Sequence, residues 1–358
     1  MDQQITLQEH VKQALETKSS LQITAGHSKD FYGRKPQGKV LSIAGHQGIV
    51  EYDFRELVIT ARTGSTIDSI KLALAENNQM LAFEPPVFNA NSTLGGTLAC
   101  GFSGPSRPYL GSARDFLLGT KIINGKAEVL SFGGQVMKNV AGYDLSRLMV
   151  GAMGTLGIML EASMKVLPRP ETEMTLVLQK DIADAIVFIN QLAGRFLPVS
   201  ASMMYEDKLY IRLSGYEKAV QKAHSEIGGE LLEAVANQSA TEFWQQLRDQ
   251  QHSFFNTDKT LWRLSLPAST PELKLAGKTL YEWGGAQRWF IPEQQIESDQ
   301  VFAVAAEAGG HASQFKNGDR HHDVFQPLSG LKTKIHQQLK TAMDPQGILN
   351  PGRLYQSF

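Results

Sequence analysis

The sequence is short of cysteine, of net charge and of long apolar runs. Its 358 residues include one cysteine, Cys100. That excludes an intrachain disulfide framework and any all-cysteine zinc or iron–sulfur site within this chain. A reducing compartment is the expectation. Lys and Arg number 35 against 36 Asp and Glu, a formal charge of −1. Without a basic excess, nucleic-acid binding has no electrostatic footprint here. No stretch is as long and as free of charge as a membrane span requires. The opening MDQQITLQEHVKQALETKSS has no basic region followed by an apolar core, so it is not read as a secretory signal.

Common site motifs are missing too. No G-x-G-x-x-G occurs, which disfavours a Rossmann dinucleotide site. No G-x-S-x-G elbow supports a hydrolase triad. Gly33 to Lys39 has the spacing of a phosphate-binding P-loop, but Val40 stands where a hydroxyl would hold Mg²⁺. The motif also precedes a strand, so it reads as a basic surface turn. His321 and His322 are adjacent, and neighbours on a strand face opposite ways, so no metal site is expected there.

What is present is an ordinary globular composition, 42% hydrophobic and 20% charged, at a length that suits two domains. Glycine is concentrated. Of 32 glycines, thirteen fall in one stretch: Gly95, Gly96, Gly101, Gly104, Gly111, Gly119, Gly125, Gly133, Gly134, Gly142, Gly151, Gly154 and Gly157. Apolar runs share that stretch, so the glycines mark tight turns and close backbone approach, not a linker.

Leu7, Val11, Ala14 and Leu15 space an amphipathic helix over 5–18. Short strands are expected at 21–26, 40–43 and 57–61, and Ser65 to Asp68 resembles a capping box opening a helix with Ile67, Ile70 and Leu74 inward. Further strands are expected at 117–123, 127–132 and 161–167, before Pro168-Arg169-Pro170-Glu171 breaks the run. Beyond it the pattern is β-α-β-β-α: a strand in MTLVLQ, a helix capped by Asp181, a half-buried strand KLYIRLSG and a helix over 216–227. That order suggests a ferredoxin-like α+β unit, extended by a helix near 241–254 and strands near 260–266 and 286–291. Residues 1–170, 171–335 and 336–358 are the expected divisions.

Three segments share a chemistry. They are Ile23 to Gly33, Asn91 to Arg107, and Asn139 to Asp144 with Gly151 to Ile158. Each offers backbone N–H groups little obstructed by side chains, and such groups bind phosphate oxygens without lysine. Several of them around one crevice suit a long ligand with a diphosphate in its middle.

With these segments in this order and spacing, together with Tyr281 to Trp289 and the tail Asp344-Pro345…Asn350-Pro351-Gly352-Arg353, the sequence resembles the vanillyl-alcohol oxidase/PCMH-type FAD-binding superfamily. More closely it is similar to the smaller FAD-binding subunits of bacterial glycolate oxidases. The resemblance implies an α+β fold, with a PCMH-type FAD-binding domain of two α+β subdomains and a ferredoxin-like α+β cap. It implies FAD as cofactor. Ala25, Gly26, His27, Ser28 and Lys29 resemble the pyrophosphate loop. Pro85, Thr93, Gly95 and Gly96 match the second flavin-contacting loop, which Gly101 and Gly104 continue. Gly154, Gly157 and Ile158 match the turn beside the adenine half, and Asn350 the C-terminal return toward the isoalloxazine. His27 stands where near relatives carry glycine, and Cys100 is read as a small buried residue.

The resemblance also implies oxidation of glycolate to glyoxylate, with a larger related flavin subunit and an iron–sulfur subunit as partners. The location would be cytoplasmic, or peripheral at the inner face of the plasma membrane through those partners. The alternatives are a self-sufficient 2-hydroxyacid or alcohol oxidase and a scaffold that has lost FAD. The histidine-rich metal segment of catalytic relatives has only Asn317 to His322 as its nearest counterpart, at the wrong spacing. A complete glycolate site in this chain alone is therefore not expected. Arg107, Tyr143, Arg288, Arg320 and His321 are candidates for holding a carboxylate, and no catalytic residue is assigned.

Overall fold

The computed structural model describes residues 1–134, 144–236 and 238–358. The chain forms two compact units. One comprises Met1–Ser103, Gly111–Pro168 and Arg320–Phe358, the other Gly104–Leu110 and Arg169–Asp319.

In the first unit, α1 (Gln4–Thr17) buries Leu7, Val11 and Ala14 and stops where Lys18 turns left-handed at φ 52°. β1 (Leu21–Thr24) and β2 (Lys39–Ser42) pair in parallel, Leu21 opposite Lys39 and Thr24 opposite Ser42. The main sheet holds β3 (Ile49–Asp53), β4 (Val58–Arg62), β5 (Leu117–Ile123), β6 (Val129–Gly133) and β7 (Ile158–Lys165). Its order is β3-β4-β7-β5-β6, antiparallel throughout. Between β4 and β5 come α2 (Ile67–Ala75) and α3 (Leu94–Cys100). Ile59, Ile70, Leu74, Leu98 and Met164 share a core on one side of the sheet, while Leu7, Val11, Ile158, Leu160 and Leu349 share another.

Two local expectations are corrected. The cap of α2 is Thr66, whose Oγ1 accepts from the Ser69 N–H at 3.2 Å while Ser69 Oγ donates to Thr66 O at 2.7 Å. Ser65 is committed elsewhere, accepting from the Gly48 N–H at 2.8 Å. The P-loop-like turn is also not a simple surface turn. Arg34 is buried, and its guanidinium donates to the carbonyls of Gly352, His321 and His322.

The second unit is built on one eight-stranded sheet. Its first part runs β8 (Thr172–Gln179), α4 (Ile182–Ala193), β9 (Val199–Tyr205), β10 (Lys208–Gly215), α5 (Glu217–Ile227) and the two-residue strand Glu230–Leu231. The spatial order, Glu230–Leu231 beside β8, then β10, then β9, is the ferredoxin-like arrangement. Asp181 caps α4, accepting from the Asp184 N–H at 2.8 Å. Ile186 and Ile189 of α4 and Val220 of α5 pack with Leu209, Ile211 and Leu213 of β10. Helix α6 (Ala240–Arg248) docks through Trp244 Nε1, which donates to Thr175 Oγ1 at 2.8 Å.

The sheet continues through β11 (Leu261–Ser265), β12 (Gly277–Glu282), β13 (Gln287–Pro292) and β14 (His311–Lys316), in the order β9-β12-β13-β11-β14. Helix α7 (Ser298–Glu307) lies between β13 and β14 in the chain.

Two stretches fall in a different unit from the one their sequence position suggested. Residues 104–110 belong with the second unit: Trp283 Nε1 donates to Gly104 O at 3.0 Å, and Tyr109 OH to Ser202 Oγ at 3.3 Å. Residues 320–335 belong with the first, where Arg320 Nε donates to Gly33 O at 2.7 Å.

Candidate functional site

The site lies in the first unit, where three bends and the C-terminal segment meet. After β1 the chain turns through residues 25–30. Gly26 is required there because a Cβ would sit 1.5 Å from the backbone oxygen of Asn91. His27 takes φ +54°, a left-handed conformation that histidine is among the side chains to tolerate. Its Nδ1 lies 2.7 Å from Asp30 Oδ2, and both side chains are more than half exposed.

The second wall is the start of α3. Thr93 Oγ1 caps it, accepting from the Gly96 N–H at 3.2 Å. Gly95 packs so closely on Thr63 that a Cβ would meet that residue's own Cβ at 2.8 Å. A Cβ on Gly96 would meet only Thr93 Oγ1, at 3.2 Å, and otherwise open space.

The third wall is the turn from Met153 to Ile158. Gly154, at φ +73°, approaches Asn350 Nδ2, and Gly157 packs on Ile122. The C-terminal segment completes the site. Asn350 Oδ1 accepts from the Ile23 N–H at 2.8 Å and Nδ2 donates to Met153 O at 2.7 Å.

These elements line an open cleft with about 710 Å³ of empty space, its mouth included. Of the expected residues, Ala25, Gly26, His27, Ser28, Lys29, Thr93, Gly95, Gly96, Gly154, Gly157, Ile158 and Asn350 line it. Three do not. Pro85 is buried in a loop and is not among the lining residues. Gly101 ends α3 with a left-handed φ of 66°. Gly104 sits in the second unit, where its carbonyl accepts from Trp283.

Thr24, Asp30, Met153 and Arg353, which belong to the quoted segments but were not singled out as cofactor contacts, also line the cleft. Arg353 closes the quoted tail motif, but its burial depends on packing against residues more than 300 positions away. Residues 139–143, including Tyr143, lie outside the described residues. None of the remaining carboxylate candidates lines the cleft. Arg288 donates to the carbonyls of Gly285, Pro271 and Thr270. Arg107 lies over the Trp283 ring, 4.5 Å from its centroid. Arg320 holds the Gly33 and Arg34 carbonyls, and His321 gives its carbonyl to Arg34.

The cleft is electropositive. Lys29 and Arg353 are both more than nine-tenths buried on its wall. Burial pushes the Arg353 guanidinium down to about 10, which leaves it charged at neutral pH. Burial raises the Cys100 thiol, and Lys29 and Arg353 only partly offset this, so Cys100 is a neutral wall residue.

The donor set fits a polyanionic dinucleotide. Thr24 Oγ1 is buried on the cleft wall with no hydrogen-bond partner among the described residues. The N–H groups of Gly26, His27 and Ser28 reach no acceptor among the described residues. An unpaired buried hydroxyl such as that of Thr24 is rare in folded proteins, and a bound diphosphate would satisfy it together with the open amides.

A family profile described as an FAD binding domain matches residues 3–133. Glycolate oxidase subunit GlcE of Escherichia coli strain K12 is 47% identical over 349 residues, covering 98% of this chain and 96% of that protein. Glycolate oxidase subunit GlcD of Bacillus subtilis strain 168 is 26% identical, covering 89% and 79%. Among solved structures, p-cresol methylhydroxylase with substrate bound aligns at a TM-score of 0.72 and 16% identity, over 97% of this chain and 86% of that one. The fold is of the PCMH type, and the cofactor is FAD. Within that class the chain belongs to the family of FAD-binding glycolate oxidase subunits.

Proposed function

We propose that this chain holds FAD in the cleft and acts as a flavin subunit of a complex that oxidises glycolate to glyoxylate. The similarity that carries the reading is the near full-length likeness to GlcE, taken with the meeting of three glycine-rich bends on one cleft. The reaction removes two electrons and two protons from a CH–OH group, and bound FAD supplies the electron acceptor.

The chain's own contribution is grip and electrostatics. The amides of residues 26–28 and Thr24 Oγ1 meet the diphosphate, Gly96 leaves room for the ligand, and the buried cations Lys29 and Arg353 offset its charge. In this reading the first unit serves the cofactor and the second unit the substrate side.

The partners are a larger related flavin subunit and an iron–sulfur subunit that receives the electrons. GlcD of B. subtilis, itself similar to this chain, supports repetition of the flavin fold within such a complex. With Cys100 the sole cysteine, a cluster held by several thiolates falls to a partner. No helix among the described residues is long and apolar enough to cross a membrane.

The test is optical. Purified protein is expected to be yellow and to release FAD on acid precipitation. Glycolate under anaerobic conditions is expected to bleach the flavin only when the partner subunits are present. Bleaching of the isolated chain would establish a self-sufficient oxidase instead. A folded, colourless protein that takes up no FAD would overturn the reading.

A further inference from the structure

We propose that Arg353 is the side-chain charge partner of the FAD diphosphate. The inference rests on the cleft being the FAD site, and it adds a guanidinium to the backbone amides and Lys29 that the sequence assigned to the diphosphate.

Arg353 is 9% exposed and lines the cleft. One of its five guanidinium hydrogens is accounted for, by Nη1 donating to Arg34 O at 2.6 Å. Its guanidinium makes no ion pair and no other hydrogen bond among the described residues. A buried guanidinium without a counter-anion is costly, and the chain does not relieve that cost locally. The nearest charges make it worse or help little. Arg320 opposes it, while Asp30 attracts it from a largely exposed position beside His27.

The position is built, not incidental. Arg353 follows Gly352, which has φ +68°, and its own N–H donates to Asn350 O at 3.2 Å. The Arg34 carbonyl that receives Nη1 also accepts from Arg320 Nη2 at 3.3 Å. Anchoring that carbonyl needs a single donor, which leaves most of the guanidinium fork unused.

The surroundings identify the missing acceptor. Lys29, Cys100 and Arg353 line the same cleft, so two buried cations share its wall. The same cleft holds the unpaired amides of Gly26, His27 and Ser28 and the orphaned Thr24 Oγ1. A diphosphate dianion has the charge and the number of acceptor oxygens to satisfy this set. Arginine suits such a group better than lysine because its planar fork matches two phosphate oxygens.

The experiment compares parent, Arg353→Met and Arg353→Lys proteins. FAD affinity is measured by fluorescence titration of apoprotein at several salt concentrations. Phosphorus NMR and visible spectra are recorded on the holoproteins. Arg353→Met is expected to weaken FAD binding by about 10- to 100-fold and to flatten its salt dependence. Arg353→Lys is expected to recover part of the affinity and to move the diphosphate resonances while leaving the flavin spectrum unchanged.

Unaltered affinity in Arg353→Met would overturn the proposal. So would unmoved phosphorus resonances with a shifted flavin spectrum, which would place Arg353 at the ring. If neither variant folds, Arg353 is a structural residue and the proposal also fails. Failure of the parent protein to bind FAD would instead remove the cleft reading itself.

Discussion

Asn350 Oδ1 accepts the Ile23 N–H at 2.8 Å, tying the C-terminal segment to the strand that feeds the candidate diphosphate loop. The same amide donates to Met153 O at 2.7 Å, and the Asn350 N–H donates to Leu21 O at 2.9 Å. One residue thus joins the first wall, the third wall and the tail. Each side-chain polar atom makes one bond to the protein, so Asn350 holds the walls together while it lines the cleft. Asn350→Ala leaves a buried N–H and a buried carbonyl unpaired, at about 1–3 kcal/mol each. Chemical denaturation is expected to show a loss of about 2–4 kcal/mol, with reduced flavin occupancy. Asn350→Asp keeps the acceptor but sets a carboxylate oxygen against Met153 O, so no recovery is expected. Parent-like stability in the Asp variant would show that the Met153 contact contributes nothing.

Lys340 makes a second tie. Its Nζ donates to Asp344 Oδ2 at 2.6 Å, Thr155 O at 2.8 Å and Leu349 O at 2.8 Å, using all three hydrogens. Asp344 in turn accepts from the N–H groups of Ile348 and Leu349. Both side chains are at least 93% buried, 7% and 0% exposed. Removing one partner strands the other, at about 3–5 kcal/mol. Lys340→Met is expected to lower the urea midpoint accordingly and to loosen the segment that carries Asn350 and Arg353. A midpoint unchanged from the parent would contradict this burial of the pair.

The parts of this fold that were legible in sequence are those fixed by local chemistry. The spacing of Leu7, Val11 and Ala14, the Asp181 cap and the alternation in KLYIRLSG each specify an element without distant help. Strands β12 and β14 were not legible. Gly277–Glu282 shows no alternation, since its second half is wholly buried, and its pairing is set by tertiary partners. At the site, glycine positions were readable but their purpose was mixed. Gly26, Gly95 and Gly157 are there so that one loop can touch another, whereas Gly96 opens toward the cleft. Buried arginines were the hardest. Arg34 and Arg353 look like ordinary surface cations in sequence because the carbonyls that receive them lie elsewhere in the chain.

His46 makes stability depend on pH. Its Nδ1 accepts from the Gln3 N–H at 2.9 Å at the start of α1, and Nε2 is buried with no partner among the described residues. Burial lowers its pKa, Asp2 and Glu161 oppose the shift, and Arg62 and the N-terminus reinforce it. The folded state therefore binds the proton less readily than the unfolded chain, whose histidine titrates near 6.5. The contribution is present above that value and is lost as pH falls through the depressed folded pKa. Thermal unfolding followed from pH 7.5 downward is expected to show a decline that His46→Gln lessens. An identical decline in the variant would assign it to other groups.

The two kinds of glycine should separate folding from flavin binding. At Gly26 a methyl group would overlap the Asn91 backbone, which cannot move aside like the end of a flexible side chain. Gly26→Ala is expected to fold poorly, with loss of soluble protein or a much lower melting temperature. At Gly96 the only close neighbour is Thr93 Oγ1, so the chain can accommodate a side chain that projects toward the cleft. Gly96→Val is expected to keep the far-ultraviolet circular dichroism of the parent while losing most bound FAD. Its apoprotein should melt close to the parent apoprotein, because no ligand-derived stabilisation is involved in either. Full flavin occupancy in Gly96→Val would move the ligand away from this wall. A well-folded Gly26→Ala would mean that the loop from Ala25 to Asp30 stands off from Asn91, and that its amides aim elsewhere.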